Sequence, residues 1–292
     1  MKFILCQPAI LRFKWELEVC LTNLVKTHGV NPKSIILLFS QSNASIPDFF
    51  KEKYGIEIHV YRDERDDKNY IPSIKPYLWF KFLEEDSSRQ NETYFYMDSD
   101  VVFRKLPDFS GSKPDKWLCS DCNSYLNLDY IRNCKNGEEI IKKMCDIVGV
   151  TKESIETINI NSGGAQWIIN SPKKEYWLKV YNDCNKLYKY FKSADTDLQI
   201  WTAEMWAQLW NMMYFNIGPK VDKKLDFVFA TDPIEQYEKV NILHNAGVTE
   251  NMKNLFFKGK YVRKQPFGED FSFVDKSKAS FKYVEAIQKV EC

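Results

Sequence analysis

The sequence predicts an α/β fold: a mixed, mainly parallel sheet flanked by helices in one large domain. Three observations carry this. Through the first third of the chain, short apolar runs alternate with stretches whose apolar residues recur at helical spacing. One of those runs, Ser34 to Phe39, is almost unbroken in its apolar character, as a strand buried on both faces of a parallel sheet requires. The length, 292 residues, lies near the upper end of what a single core supports.

Taken in order, Phe3 to Cys6 is a short strand. Between Trp15 and His28, Leu17, Leu21, Leu24 and Val25 fall on one helical face, and Gly29 can cap the end. The strand at Ser34–Phe39 follows, then a short helix from Pro47 to Tyr54 that stops at Gly55. Ile56 to Tyr61 alternates like a half-buried strand, and Pro76 to Glu85 sets Tyr77, Phe80 and Leu83 on one helical face. A fourth strand, Thr93 to Met97, runs directly into Asp98-Ser99-Asp100. Repeated β-α-β units imply right-handed crossovers, and ligands in such sheets collect beyond the carboxyl ends of the strands, where this acidic pair stands. Further on, Lys116–Ser120, Ala165–Ile169 and Asp226–Ala230 read as strands. Glu138–Val148, Lys173–Phe191 and Leu198–Met212 read as helices, and no clear period is visible after about Asn245.

Composition sets limits. Lys and Arg number 41 against 40 Asp and Glu, a net charge of +1, which argues against a polyanion binder working by bulk electrostatics. Apolar content of 44% excludes a disordered chain. Aromatic residues reach 15%, a supply that suits either a cleft for ring-shaped ligands or a tightly packed core. No signal-peptide pattern opens the chain, and no window approaches the roughly 18 consecutive apolar residues of a membrane span. The 8 cysteines are scattered, which favours reduced thiols and a cytoplasmic location, and leaves the sequons at Asn43 and Asn91 coincidental. Cys119 and Cys122 form a C-x-x-C with no closely spaced second pair, so they are expected to be buried thiols rather than zinc ligands.

The sharpest motif is Asp98-Ser99-Asp100. Side chains one residue apart at a strand end project to the same side, and two carboxylates so placed suit a hard divalent cation that bridges a diphosphate. A strand-end turn is the alternative, since Asp is a turn residue. His244, one of 3 histidines, follows an apolar run and precedes Gly247; an imidazole beside two carboxylates favours Mn2+ over Mg2+. His28 and His59 read as structural. Asn161-Ser162-Gly163-Gly164 combines an amide, a hydroxyl and two glycines that allow backbone to approach a ligand closely, or simply makes a turn. Asp197 stands near a helix start, where capping also accounts for it. Glu204 lies between Trp201 and Trp206 in a pattern that fits a sugar subsite, and Trp210 and Trp167 are further rings to place near a sugar or acceptor; a plain helix core is the alternative. Lys258, Lys260, Arg263 and Lys264 can neutralise a diphosphate, meet an anionic acceptor, or be solvated.

The ordered set Lys75, Asp98-Ser99-Asp100, Asn161-Ser162-Gly163-Gly164, Thr202-Ala203-Glu204-Met205-Trp206 and His244-Asn245-Ala246-Gly247 resembles the GT-A (Rossmann-like) nucleotide-sugar glycosyltransferases. Within them it is similar to the hydroxyproline O-arabinosyltransferase and peptidyl-serine galactosyltransferase group, and more loosely to the glycogenin-like family 8 transferases. The resemblance, spanning about Ser34 to Tyr261, implies a Mn2+-dependent hexosyl or pentosyl transferase using a UDP-sugar, with retention of configuration. It implies metal binding by Asp98, Asp100 and His244, with Mg2+ as the other candidate ion. Lys75, Lys258 and Lys260 would approach the donor with Ser99, while Asn161, Ser162, Gly163 and Glu204 would meet the transferred sugar. Glu204 and Asp197 are the candidate catalytic side chains. Residues 1–110 would form the nucleotide-sugar half ending in D-x-D, and 111–292 the acceptor half with the metal-ligand histidine and basic segment, in one continuous domain. The plant members are secreted; a chain without their signal or anchor suits a bacterial or phage setting, with a hydroxyl acceptor on a hydroxymethylated DNA base, a protein or a glycan.

Two rival classes remain open. A nucleotidyl- or phosphotransferase also uses carboxylates and a metal, but Phe3 to Phe13 contains no glycine to cradle a phosphate. A non-catalytic carbohydrate- or nucleic-acid-binding protein would use the aromatic surplus but has no need of D-x-D together with a late histidine.

Overall fold

A computed structural model describes residues 1–290. In chain order the elements are β1 (Lys2–Pro8), α1 (Leu11–Leu21), β2 (Ile35–Ser40), α2 (Ser45–Tyr54), β3 (Glu57–Tyr61), α3 (Ile74–Glu85), β4 (Thr93–Tyr96), β5 (Val101–Phe103) and β6 (Lys116–Asp121). There follow α4 (Asn123–Leu126), α5 (Leu128–Arg132), α6 (Gly137–Val148), α7 (Lys152–Ile158), β7 (Gly163–Asn170), α8 (Lys174–Ser193) and α9 (Ala203–Tyr214). The chain closes with β8 (Gly218–Val221), β9 (Phe227–Phe229), α10 (Ile234–Tyr237), β10 (Ile242–His244) and α11 (Ser280–Gln288).

Seven strands make up a mixed sheet and three a smaller one, so the fold is α/β as the sequence predicts. The chain divides into two compact units, each assembled from separated segments. The first unit comprises Phe3–Val60, Met97–Asp108 and the chain from Lys223 onward. It holds β3, β2 and β1 in that order, with β1 and β2 parallel and Phe3 opposite Ile35. Every residue of β2 is buried, because an interior strand covered on both faces has no solvent side. β3 departs from the alternation expected of it: it is half-buried to exposed along its length, as befits a sheet edge. The smaller sheet, β5-β10-β9, also belongs to this unit. Its inner face meets a cluster of Trp15, Val19, Val102, Leu243, Phe256 and Tyr283. The Trp15 indole Nε1 donates to the carbonyl of Tyr261 at 2.9 Å, satisfying the one polar atom of a fully buried ring.

The second unit holds Met1–Lys2, Tyr61–Tyr96 and Phe109–Asp222. Its strands follow the order β4-β7-β6-β8, with β7 antiparallel to both neighbours and β6 parallel to β8. Here the aromatic surplus is resolved: Trp79 and Trp177 stack at 4.8 Å between ring centres, and Tyr94 and Tyr96 each meet Trp79 in a T-shaped contact. Trp206 and Trp210 are fully buried and Trp167 is 2% exposed, so these three are core rings and not the sugar-side rings expected; only Trp201, 59% exposed, stands open to solvent.

Helix bounds differ from expectation where caps are missing. α1 begins at Leu11, before the Trp15 expected, and continues past Leu21 as a π-helix from Thr22 to Thr27. The helix expected from Leu198 begins at Ala203, after a single 3-10 turn at Ile200–Thr202. Phe80, expected on the inner face of α3, is only half-buried, while Trp79 and Phe82 carry that face. α11 forms in the stretch that showed no period.

Candidate metal centre

The chemistry-bearing residues of the first unit converge at the end of the smaller sheet. β10 runs antiparallel to β5 with His244 opposite Val101, and the backbone N–H of Asn245 donates to the carbonyl of Asp100 at 2.9 Å. This register sets the imidazole of His244 beside the turn that carries the two aspartates. Its Nε2 is 3.2 Å from Asp100 Oδ1 and 3.8 Å from Asp98 Oδ2. One ligand atom from each of Asp98, Asp100 and His244 lies within 4.8 Å of the others, so the three can hold a metal ion. Two carboxylate oxygens and an imidazole nitrogen are a donor set that divalent cations accept. Beside them, the Nδ1 of His244 and both amide atoms of Asn245 are buried without a partner among the described residues.

The electrostatics match. Lys258, on the 3-10 turn Lys258–Tyr261, ion-pairs with Asp100 Oδ2. Burial alone would raise the Asp100 carboxyl, but the charges of Lys258 and His244 outweigh it and hold it well below the ordinary carboxylate range. Lys258 is itself held above its ordinary value, since Asp100 and Glu16 outweigh the cost of its burial. Asp100 therefore stays ionised at neutral pH despite being 3% exposed.

One residue of this cluster, Glu16, carried no signal in the sequence reading. Glu16, 1% exposed, accepts from Ser99 Oγ at 2.7 Å and from Arg12 Nε at 3.0 Å. Burial, with Asp100 nearby, lifts its carboxyl above the ordinary value against the pull of Lys258 and Arg12. The available hint was the row Arg12, Glu16, Cys20: a glutamate at i,i+4 spacing from an arginine, flanked by Trp15 and Leu17. Ser99 is 4% exposed and gives its hydroxyl to Glu16. Lys260 is exposed, with its ammonium 5.8 Å from the centre of the Phe273 ring.

The remaining candidates lie in the second unit. Asn161 and Ser162 lead into β7: Asn161 Oδ1 accepts from Val221 N at 3.1 Å, and Ser162 Oγ donates to Asn159 O at 2.9 Å. Gly163 packs against β6, where a Cβ would come within 1.9 Å of Cys119 Sγ. Glu204 is buried in the first turn of α9, and its N–H donates to the Tyr70 hydroxyl at 2.8 Å. Lys75 occupies the first turn of α3. Asp197 is exposed and accepts from the backbone N–H of Lys135 at 2.7 Å, rather than capping α9. Cys119 and Cys122 are buried and unpaired; burial pushes the Cys122 thiol up to about 12. Among the described residues no cysteine joins a metal-binding group.

No family model and no curated protein matches the sequence. Among solved structures the chain is similar to the galactosyltransferase LgtC in complex with donor and acceptor sugar analogues. The TM-score is 0.51 at 13% identity, covering 98% of this chain and 95% of that one. The chain has the GT-A fold. An active-site variant of LgtC gives a TM-score of 0.48 at 12% identity over the same shares of both chains. No helix among the described residues is long and apolar enough to cross a membrane.

Proposed function

We propose that this chain is a glycosyltransferase that moves a sugar from a UDP-sugar to a hydroxyl acceptor, using Mn2+ in preference to Mg2+. The carrying observation is the convergence of Asp98, Asp100 and His244, whose ligand atoms lie within 4.8 Å of one another. The mixture of oxygen and imidazole donors favours Mn2+ over Mg2+. The fold supports the reading, since LgtC, which shares it, holds donor and acceptor sugar analogues. A divalent cation bound by these three residues supplies the positive charge that a departing diphosphate needs.

The chain's own residues do the rest. Lys258, already in the cluster, adds a second positive charge at the same oxygens, and Lys75 and Lys260 approach the donor from their own turns. Asn161, Ser162 and the Gly163 backbone orient the transferred sugar by its hydroxyls. Glu204 is the first candidate to stabilise positive charge at the anomeric carbon, because its buried carboxylate acts in a lower dielectric than the exposed Asp197. Transfer proceeds with retention of configuration. The acceptor is a hydroxyl on a hydroxymethylated base, a protein or a glycan, met in the cytoplasm. No disulfide joins the cysteines of the described residues, which suits that compartment.

The test is release of UDP from UDP-glucose, UDP-galactose, UDP-N-acetylglucosamine and UDP-arabinose, with Mn2+ and with EDTA. The expected result is metal-dependent hydrolysis of at least one donor, reduced about 100-fold in Asp100→Ala. Full metal-dependent turnover in that variant refutes the assignment.

A further inference from the structure

We propose that Glu16, which lies outside the metal-binding triad, is its positioning residue: acting through Ser99, it fixes the turn that carries Asp98 and Asp100. The inference rests on the metal reading given above and extends it to a part of the chain far from the motif.

Ser99 is the residue between the two carboxylates, so whatever holds Ser99 holds both. Its hydroxyl donates to Glu16 Oε2 at 2.7 Å, and the other oxygen of the same carboxylate accepts from Arg12 Nε at 3.0 Å. With both oxygens engaged and 1% of its surface exposed, Glu16 has no room to swing away. The Arg12 guanidinium, a charged donor, makes its half of this link stronger than a bond between two neutral groups.

The grip extends along the strand that follows. Asn23 stands seven residues after Glu16, about two helical turns further on. Its Oδ1 accepts from Phe103 N at 2.7 Å and its Nδ2 donates to Phe103 O at 3.0 Å. His28 Nε2 donates to that same carbonyl at 2.8 Å. On the opposite side, Asn245 N donates to Asp100 O at 2.9 Å. The segment from Ser99 to Phe103 is thus held at both ends by one helix and along its other side by β10. The peptide from which the metal-binding side chains project is fixed before any ion arrives.

Burying a second carboxylate close to Asp100 is electrostatically unfavourable, and Arg12 and Lys258 offset it. A carboxylate is nevertheless the side chain that accepts from Ser99 and Arg12 at once while offering no competing donor. Groups that orient metal ligands from the second layer typically change metal affinity 10- to 100-fold when removed.

The experiment titrates the full chain with Mn2+ alone, without nucleotide, reading the free hydrated ion by its EPR signal. Wild type, S99A, S99T, E16Q and the S99A/E16Q double variant are compared, with melting curves in EDTA run in parallel to report folding. S99A is expected to raise the Mn2+ Kd about tenfold and to broaden the spectrum of the bound ion. S99T, which restores the hydroxyl, is expected to recover most of the affinity. The double variant should bind no more weakly than the weaker single one, since both break the same link. If E16Q does not fold, the S99A and S99T pair decides the matter alone. Wild-type affinity in S99A, or losses that add in the double variant, overturns the positioning role and leaves the metal site standing. Absence of Mn2+ binding in the wild type overturns the metal reading and this proposal with it.

Discussion

His244 Nε2 lies 3.2 Å from Asp100 Oδ1, although the two residues are 144 positions apart in the chain. The antiparallel pairing of β10 with β5 is what brings them together, and Asn245 N completes the register on the Asp100 carbonyl. Lys258 pairs with the other oxygen of Asp100, so one buried carboxylate faces an imidazole and an ammonium together. That arrangement sets up the first prediction.

Lys258→Met removes the ammonium without shortening the aliphatic stem much. If Lys258 serves the donor diphosphate, UDP affinity measured calorimetrically in Mn2+ falls about tenfold or more, the usual value of a charge-assisted hydrogen bond. Binding of Mn2+ alone should persist, because Asp98, Asp100 and His244 remain. Unchanged UDP affinity removes Lys258 from the donor site.

Trp201 and Trp206 separate function from folding. Trp206 is fully buried, and Trp206→Ala is expected to cost about 3–5 kcal/mol in urea unfolding. Trp201 is 59% exposed on a turn whose carbonyl accepts from the buried Tyr70 hydroxyl at 2.8 Å. Trp201→Ala should leave stability within about 0.5 kcal/mol of wild type. A raised KM for acceptor or donor in that variant would mark the ring as a sugar platform; unchanged kinetics would mark it as bystander surface.

Gly163→Ala places a methyl group 1.9 Å from Cys119 Sγ and 2.7 Å from its Cβ, where β7 pairs with β6. The expected loss is about 1–3 kcal/mol, as for other over-packed interiors. Cys119→Ala in the same chain should recover only part of it, because the Cβ contact remains. Wild-type stability in Gly163→Ala would show that the two strands separate at little cost.

Asp63 gives a pH signature unrelated to the metal. Burial would raise its carboxyl, but the buried Arg65 guanidinium beside it outweighs this and holds it below the ordinary range. A lowered folded-state value means stability that is complete above the unfolded value near 4 and is lost as pH falls through the folded one. Asp63→Asn should therefore cost about 2 kcal/mol at pH 7, discounted for the partial exposure of the pair. The gap between wild type and variant should narrow steadily below pH 4 in urea titrations. A gap that stays constant with pH would sever the link to ionisation.

The metal triad was legible because its parts carry local signatures: a strand running into Asp98-Ser99-Asp100, and a rare histidine after an apolar run. Their pairing was legible only through the family resemblance, since it depends on a β10–β5 register joining segments far apart in sequence. Glu16 was hidden because helical periodicity reports which face is apolar, and a buried glutamate on that face breaks the pattern instead of extending it. α11 was hidden because its N-cap residue, Ala279, has no capping side chain, leaving Tyr283, Val284 and Ile287 as its only periodic mark. The aromatic count foretold rings but not their exposure: most tryptophans proved to be packing, and Trp201 the exception, because burial is decided by tertiary context.

The π-helical turn after α1 has a geometric use. In an α-helix, residues five apart diverge by about 140° around the axis, so Asn23 and His28 could not address one target. Wider winding from Thr22 to Thr27, seen in the bond from His28 N to Asn23 O at 3.1 Å, stacks these two residues one turn apart. Both then reach the Phe103 carbonyl. The irregularity works as a spacer, converting a helix of ordinary pitch into a two-toothed clasp on the strand behind the acidic turn. Deleting one residue from it would shorten the helix by a fraction of a turn and open that clasp at one tooth.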